Sequence, residues 1–197
     1  MWQGRLEDGS KVGVGFLLSP GATKAWRAAG SVSNSSDTGR ILALSFKLGG
    51  NEGSWHIISV YGPTSQSTNG EKDRFWNELQ DIYDSFSRDQ IVHVTGDFNA
   101  GVGSRQAQDC DDICEAIGPY GIGNRNENGE RLINFYIANK LRVEHTFHKQ
   151  NTSQKAKWFH PRFGTPGVID SALVQREHAK HAADIRVLPS VDTRSDH

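Results

Sequence analysis

The chain has 197 residues, a formal net charge of −1, 36% apolar and 23% charged residues, and is long enough to bury a sizeable core. The near-neutral balance excludes a chain-wide basic field for nucleic acid or a membrane surface, so a polyanion would have to meet a local patch. No apolar run approaches the roughly 20 residues that span a bilayer, and no signal-peptide core follows Met1. We therefore expect an intracellular protein with no membrane partner.

The first third of the chain predicts strands joined by turns. An apolar run at 12–18 is bounded by glycines and by a Ser-Pro pair, and it indicates a strand. Residues 26–39 are rich in Ser, Gly and Asn and are typical of a loop. Alternating apolar residues at 41–48 and 55–61, on either side of a Gly-Gly-Asn turn, predict a hairpin.

Two helices are predicted further along. Apolar residues at helical spacing cover Glu71–Phe86, with Thr68 or Asn69 as the N-cap. This helix leads into a short buried strand at Ile91–Val94. A second helix is predicted at Gly129–Asn139.

The last third of the chain predicts short strands only. They are Arg142–Phe147, Lys157–Phe159, Val168–Val174 and Asp184–Leu188. Hairpin-joined strands with two clear helices predict an α+β fold, or two mixed sheets packed face to face with helices outside. No linker composition divides residues 1–197, so a single domain is expected.

The chain is organised around the stretch IVHVTGDFNA at 91–100. Residues i and i+2 at a strand's end point to the same face, so Asp97 and Asn99 should project together while Phe98 turns to the core. A carboxylate beside an amide can hold a hard cation and a phosphate oxygen. The alternative is an ordinary turn, of which Gly-Asp-x-Asn is also typical.

Other strand ends carry polar residues as well. Tyr61 follows HIISV, Asp170 lies inside VID, and Asp196-His197 ends the sequence. Each has a bland alternative: a half-buried aromatic for Tyr61 and a solvated tail for the last pair. Asp170 is the odder case, because an acid within an apolar strand is costly to bury unpaired. Cys110 and Cys114, the only cysteines, indicate reduced thiols, and two ligands do not close a zinc site.

Taken together, GDFNA at 96–100, VID at 168–170 and SDH at 195–197 form an ordered set of motifs. The set resembles the endonuclease/exonuclease/phosphatase superfamily, which has the DNase I-like fold. SVYGPT at 59–64, GIGNRNENGERLINFYIANKL at 121–141 and VEHTFHKQ at 143–150 resemble most closely the endonuclease domain of LINE-type non-LTR retrotransposons and the related craniofacial development protein 2 group. The resemblance implies two mixed β-sheets packed as a sandwich with flanking helices, in four layers.

The resemblance also implies roles for individual residues. Asp97 would position the attacking water or the leaving oxygen, and Asn99 and Tyr61 would hold the phosphate. His197 would stabilise the transition state, with Asp170 fixing its tautomer. Asp196 would ligate Mg²⁺, or Mn²⁺ in its place. Thr146 and Ser195 match two small polar residues of the LINE-type site and would contact the nucleic acid.

The segment Thr146–Ile169 independently favours a polyanion partner. It contains no acid, and aromatic residues are interleaved with the basic residues Lys149, Lys155, Lys157 and Arg162. Such a pattern suits phosphate contact and base stacking. The resemblance makes the partner DNA and places a functional enzyme in the nucleus. The alternative is a solvated basic loop with a few core aromatics.

The chain departs from the family's pattern in its outer parts. The family's upstream Asn and its metal-binding Glu are not matched, and neither Glu7 nor Glu52 takes that role. The family also continues past SDH into a further strand, so a domain shortened at both ends is expected. We therefore expect a Mg²⁺-dependent DNA endonuclease of retrotransposon type with impaired activity, possessing or descended from a linked reverse transcriptase. The alternatives are an inactive remnant or binding module of the same fold, and a phosphatase of another phosphoester.

Overall fold

The computed structural model describes residues 2–5, 12–47, 49, 53–87, 89–151, 158–159 and 166–181. The chain forms two compact units, Met1–Gly96 and Asp97–His197. Both units contain helices and strands. Within the described residues, no helix combines the length and the apolar character needed to cross a membrane.

Among its described residues, the first unit contains six strands and two helices. The strands are β1 (Trp2–Arg5), β2 (Val12–Gly15), β3 (Ser33–Ser35), β4 (Ile41–Lys47), β5 (Ser54–Tyr61) and β6 (Ile91–Asp97), and the helices are α1 (Pro20–Ala28) and α2 (Asn69–Asp84). Strands β1 and β2 pair antiparallel. The other four lie in the order β3-β4-β5-β6, and the last residue of β6, Asp97, opens the second unit.

The predicted hairpin is confirmed. Strands β4 and β5 pair antiparallel from Ile41 opposite Val60 to Lys47 opposite Ser54. Every residue of β4 from Ile41 to Phe46 is buried, although its sequence pattern predicts only one buried face. Helices α1 and α2 both contact β4, which explains why this strand has no exposed face.

Helix α2 is also confirmed, and its start follows from its sequence. The Thr68 hydroxyl accepts a hydrogen bond from the Glu71 N–H at 3.3 Å, and the Glu71 carboxylate accepts from the Thr68 N–H at 2.7 Å. This reciprocal pair is a capping box, which satisfies N–H groups that a helix start leaves without intrahelical partners. The buried residues Phe75 and Leu79 anchor its inner face.

The stretch 26–39, predicted to be mostly loop, contains regular structure in two places. Helix α1 extends to Ala28, and β3 lies within the remaining stretch. The helix begins where Ser19 caps it, accepting from the Ala22 N–H at 3.2 Å, with Pro20 in the first turn. The Ser-Pro pair that indicated the end of a strand is therefore also the start of a helix.

The second unit has shorter elements. They are α3 (Asp111–Ala116), α4 (Glu127–Ala138), β7 (Leu141–Val143), a 3-10 turn (Glu144–Thr146), β8 (Trp158–Phe159), β9 (Pro166–Gly167), β10 (Asp170–Gln175) and a second 3-10 turn (Arg176–His181). Strands β7 and β10 pair antiparallel, and Ile117 forms a parallel bridge with Val143. The core of this unit includes the fully buried Leu132, Tyr136 and Leu173.

The predicted α+β class is confirmed, with mixed strand pairing and flanking helices. The predicted helix at 129–139 is α4, which begins two residues earlier. The predicted strand Arg142–Phe147 ends at Val143, because the chain turns into a 3-10 helix there. The predicted strand Asp184–Leu188 lies outside the described residues.

Candidate functional site

Gly96 precedes the central motif and can only be a glycine. Its φ is +140°, and a Cβ at this position would collide with the backbone carbonyl of Val60. A residue with a side chain would be strained by the dihedral and excluded by the contact. The close approach of the two backbones therefore fixes the course of β6 immediately before Asp97.

Asp97 and Asn99 form a tight turn at the end of β6. A carboxylate oxygen of Asp97 accepts a hydrogen bond from the Asn99 N–H at 2.8 Å, which is the contact of an Asx turn. Asn99 has a left-handed φ of +49°, and Phe98 is fully buried as predicted. The strand alternation expected to place Asp97 and Asn99 on one face does not extend to Asn99, because the backbone has already left the extended conformation.

The backbone carbonyl of Asn99 is held by two asparagine side chains. The Asn128 amide donates to it at 3.2 Å, and the Asn126 amide donates at 3.5 Å. Asn128 is itself buried. The left-handed residue of the turn is therefore restrained from its carbonyl side.

Asn126 also links this turn to helix α4. Its side-chain oxygen accepts from the Gly129 N–H at 2.7 Å, which makes it the N-cap of α4. The same oxygen accepts from the Gly101 N–H at 3.2 Å, and the Asn126 N–H donates to the Gly101 carbonyl at 3.0 Å. One residue thus starts the helix and fixes the loop that follows Asn99.

Glycines line the contact between this loop and the segment before α4. A Cβ on Gly101 would lie 2.8 Å from the Asn124 carbonyl oxygen, and one on Gly103 would lie 2.8 Å from the Arg125 nitrogen. A Cβ on Gly129 would collide with the Gly101 carbonyl. The two backbones are therefore packed with no room for side chains.

A buried ion pair lies beside the same loop. Arg125 donates to both carboxylate oxygens of Asp109, each at 2.8 Å, and the two side chains are 5% and 2% exposed. Arg125 also donates to the Val102 carbonyl at 3.1 Å. Hydrogen bonds from Arg125 hold the pKa of Asp109 below its ordinary value, and the same bonds raise the pKa of Arg125.

Asp170 reaches this region through the backbone. The Phe98 N–H donates to the Ile169 carbonyl at 3.0 Å, so Asp97 and Asp170 each lie one residue from this bond. Asp170 is the first residue of β10 and is exposed, so the cost expected for burying an acid within a strand does not arise. The structure thus brings Asp97, Asn99 and Asp170 into one neighbourhood at the level of the backbone.

Tyr61 lies in the first unit and is half-buried. Its N–H donates to the Arg40 carbonyl at 2.8 Å, and its own carbonyl accepts from the Arg40 guanidinium at 3.2 Å. The guanidinium carbon lies 5.5 Å from the centre of the tyrosine ring, within the range of a cation–π contact. Arg40 therefore fixes both the backbone and the ring of Tyr61.

Thr146 lies inside the protein, where the predicted contact with nucleic acid would not be expected. It is fully buried, its hydroxyl donates to the Val143 carbonyl at 2.6 Å, and it accepts from the Gly118 N–H at 2.7 Å. The Thr146 hydroxyl is therefore bonded within the protein, and Thr146 is not among the proposed DNA contacts. Lys149 is exposed, as a phosphate contact requires.

The remaining predicted site residues lie outside the described residues. They are Lys155, Lys157, Arg162, Ser195, Asp196 and His197. Among the residues that the structure does describe, no group of three or more His, Cys, Asp or Glu side chains is placed to hold a metal ion. Cys110 and Cys114 are free thiols.

Sequence reasoning did not single out Arg125, Asn126 or Asp109. The signal for Asn126 was present, since Asn three residues before Gly129 is an N-cap spacing. The pairing of Asp109 with Arg125 had no local signal, because the two residues are far apart in sequence and meet only through the folded loops.

The fold and this turn define an α+β protein whose candidate site is an acid–amide turn at a strand end. The chain is similar in sequence to craniofacial development protein 2, as its motifs predicted. It is 30% identical to the protein of that name from Bos taurus over 141 residues, which is 72% of this chain and 23% of the relative. The protein from Tragulus javanicus is 28% identical over 158 residues, 80% of this chain and 26% of the relative. No family model matches the chain.

Solved structures with similar coordinates share little sequence. The endonuclease domain of TRAS1, a telomere-specific non-LTR retrotransposon, has a TM-score of 0.46 and 9% identity, covering 74% of this chain and 54% of that one. An endonuclease/exonuclease/phosphatase family protein from Bacteroides thetaiotaomicron has a TM-score of 0.42 and 12% identity, with coverages of 71% and 43%. TDP2 from D. rerio, complexed with a single-strand DNA product, has a TM-score of 0.44 and 12% identity, with coverages of 73% and 52%.

Proposed function

We propose that the chain binds and hydrolyses phosphodiesters of DNA in a divalent-metal-dependent reaction. The observation that carries this proposal is the restrained turn of Asp97 and Asn99, with Asp170 adjoining it through the hydrogen bond between Phe98 and Ile169. Negative charge develops on the phosphate oxygens during hydrolysis. Polar groups held in place at the end of a strand can stabilise that charge. The chain spans about a quarter of the length of the craniofacial development protein 2 relatives that it matches.

The residues of the turn divide the chemistry between them. The Asp97 carboxylate positions the attacking water by accepting a hydrogen bond from it, because an ionised carboxylate accepts hydrogen bonds and does not donate them. The Asn99 side-chain amide donates to a phosphate oxygen. Asp170 holds the predicted His197 ring in one tautomer, as carboxylates do for histidines. Tyr61 and Ser195 contribute hydroxyl contacts in this proposal.

The donor chemistry of these residues fits a magnesium or manganese ion. Carboxylate and amide oxygens are the ligands that such hard cations take, and Mg²⁺ keeps several waters while it uses one or two protein carboxylates. Asp196 is the proposed ligand, with the strand-end carboxylates Asp97 and Asp170 nearby in the proposed site. When bound, the ion would neutralise charge on the phosphate.

The proposed partner is DNA in the nucleus, and the proposed origin is a retrotransposon whose ancestral protein carried a reverse transcriptase. Lys149 is exposed at the start of the basic and aromatic segment. Arg142 covers one face of the Phe147 ring, with its guanidinium carbon 4.5 Å from the ring centre. Lys155, Lys157 and Arg162 would add phosphate contacts, which position a duplex without reading its sequence.

The test is nicking of supercoiled plasmid by the chain in Mg²⁺ or Mn²⁺, with EDTA as the blank. Asp97→Ala and Asn99→Ala should each lower the nicking rate by about a hundredfold or more, as removal of a transition-state contact does. The matched control is Asp112→Ala, which removes an exposed acid of α3 and should leave the rate unchanged.

Two results would contradict the proposal. One is nicking that survives Asp97→Ala, because the activity would then arise elsewhere or from a contaminant. The other is metal-dependent release of phosphate from a small phosphomonoester with no cleavage of plasmid, which would make the protein a phosphatase of another substrate.

A further inference from the structure

The ion pair between Asp109 and Arg125 stands apart from the residues that would touch a phosphate. Its side chains are almost fully buried, and burying two charges costs several kcal/mol per ion unless geometry and further hydrogen bonds compensate. Both conditions hold here, since the pair is bidentate and the Gln106 N–H donates to the same carboxylate at 2.8 Å. Such a pair is better suited to fix one conformation than to add net stability.

What the pair fixes is the loop that follows Asn99. Arg125 holds the Val102 carbonyl at 3.1 Å, and the next residue, Asn126, is bonded to both the N–H and the carbonyl of Gly101. Val102 and Gly101 therefore each receive a contact from the segment that Asp109 anchors through Arg125.

The same segment holds the turn itself. The side chains of Asn126 and Asn128 donate to the Asn99 carbonyl. Asn99 is left-handed, a conformation that asparagine tolerates better than most residues other than glycine, and these two hydrogen bonds hold it in that conformation. The chain of contacts thus runs from Asp109 through Arg125 and Asn126 to Asn99.

We propose that Arg125, held by Asp109, is a positioning residue that sets the left-handed turn at Asn99 and so places the Asp97 and Asn99 side chains for reaction. The catalytic part of this inference rests on the proposed function, whereas the positioning part does not. Arg125 touches no reacting group. Its effect reaches the turn through the backbone of residues 101–102 and the side chain of Asn126.

The first measurement is hydrogen exchange, which does not depend on activity. In the Arg125→Met variant, exchange of the Gly101 and Gly129 amides, both bonded to Asn126, should accelerate by about tenfold or more. Exchange in β10 should stay as in the wild type. Arg125→Lys keeps the charge but loses the planar fork, and should give an intermediate acceleration.

The second measurement is steady-state kinetics of nicking. Arg125→Met should lower kcat by about a hundredfold, as a small misplacement of reacting groups does, while KM changes by less than about threefold. Arg125→Lys should recover part of kcat. The matched control is Arg131→Met, which removes an arginine of α4 from a looser pair with Glu127 at 3.5 Å and should change neither readout.

The outcomes separate this inference from the proposed function. Unchanged exchange at Gly101 and Gly129 in folded Arg125→Met or Arg125→Lys overturns the positioning role. Accelerated exchange with an inactive wild type supports the positioning role and counts against the proposed function alone. If Arg125→Met does not fold, Arg125→Lys and Asp109→Asn carry the same exchange measurement. Equal loss of kcat and binding in both substitutions of Arg125, with exchange raised throughout the unit, overturns positioning in favour of a general loss of structure.

Discussion

The two units are stabilised in different ways. In the first, apolar side chains fill the interior, and β4 is buried along both faces from Ile41 to Phe46. In the second, the region around the candidate site is held by backbone contacts that only glycine permits, by asparagine amides and by a buried ion pair. An apolar core tolerates substitutions that conserve volume and pattern, whereas a polar network loses much of its energy when one partner is removed. The second arrangement is the one suited to holding a reactive turn.

The largest difference in stability between the units is expected when, in each unit, an acid that pairs with an arginine is replaced. Asp109→Asn leaves the buried Arg125 with only the exposed Glu130 carboxylate, 3.8 Å away, as a counter-charge, which should lower the free energy of unfolding by about 3 kcal/mol. Glu78→Gln in the first unit breaks a pair with Arg74 whose side chains are 53% and 17% exposed, and should cost about 0–1 kcal/mol. Urea unfolding of both variants measures the difference, and equal losses would contradict the distinction between the units.

Asp109 should also make the free energy of unfolding depend on pH, in a direction that follows from its pKa. The pKa of Asp109 is lowered in the folded state, chiefly by hydrogen bonds from Arg125. Its contribution to stability is therefore complete above the ordinary carboxyl pKa of about 4, and is lost as the pH falls through the folded value. Urea unfolding at pH 6 and pH 3 should show a smaller decrease for Asp109→Asn than for the wild type. An identical decrease would show that another group is responsible.

A smaller difference is expected for two helical glycines. Gly129→Ala in α4 places a Cβ against the Gly101 carbonyl, whereas Gly70→Ala in α2 finds nothing within 4 Å. The first should lower the free energy of unfolding by about 2–3 kcal/mol through overpacking. The second should raise it by about 0.4–1 kcal/mol by restricting the unfolded chain. Thermal and urea unfolding decide this, and a tolerated Gly129→Ala would show that the loop can move away.

The elements of the first unit were the more predictable ones. Apolar periodicity located β4, β5 and α2, because burial of side chains leaves a regular signal in the sequence. Helix α1 was missed because it has only nine residues, buries none of them fully, and is too short for periodicity to be distinguished from a loop. The cap at Thr68 was predicted from local chemistry, whereas Ser19 was interpreted only as the turn that ends a strand.

The candidate site was predictable only in part. The motif at 96–100 identified Asp97 and Asn99, and the turn alternative describes their backbone correctly. The partners of that turn were not predictable, because Asp109 and Arg125 meet through loops without periodicity. The burial of Thr146 was not predicted, because a threonine's burial cannot be inferred from its type.

The next largest effect on stability is expected from removing the side chains that cap α2 and α4. Thr68→Ala should cost about 1 kcal/mol, the usual value for a cap. Asn126→Ala removes the cap of α4 and also the bonds to Gly101 and to the Asn99 carbonyl, so about 2 kcal/mol is expected. Urea unfolding compares them directly. Equal costs would mean that the additional bonds of Asn126 contribute little.

The smallest effect should come from the buried histidine of the first unit. The Nδ1 atom of His56 lies 2.8 Å from the Ser45 hydroxyl, its Nε2 lies 3.0 Å from the Gln90 side-chain oxygen, and its ring stacks on Phe86 with centres 4.2 Å apart. Burial lowers its pKa, so on acidification the unfolded chain takes up a proton near the ordinary value of about 6.5 while the folded chain does not.

Stability should therefore fall as the pH decreases through that value, and level off below the folded pKa. His56→Gln should be less stable than the wild type at pH 7.5 but lose less between pH 7.5 and 5.5 in urea unfolding. This is a neutral polar group whose burial is compensated by two hydrogen bonds, in contrast to the charged pair of Asp109 and Arg125. A variant that loses as much as the wild type over this interval would assign the acid sensitivity to another histidine and remove His56 from the comparison between the two units.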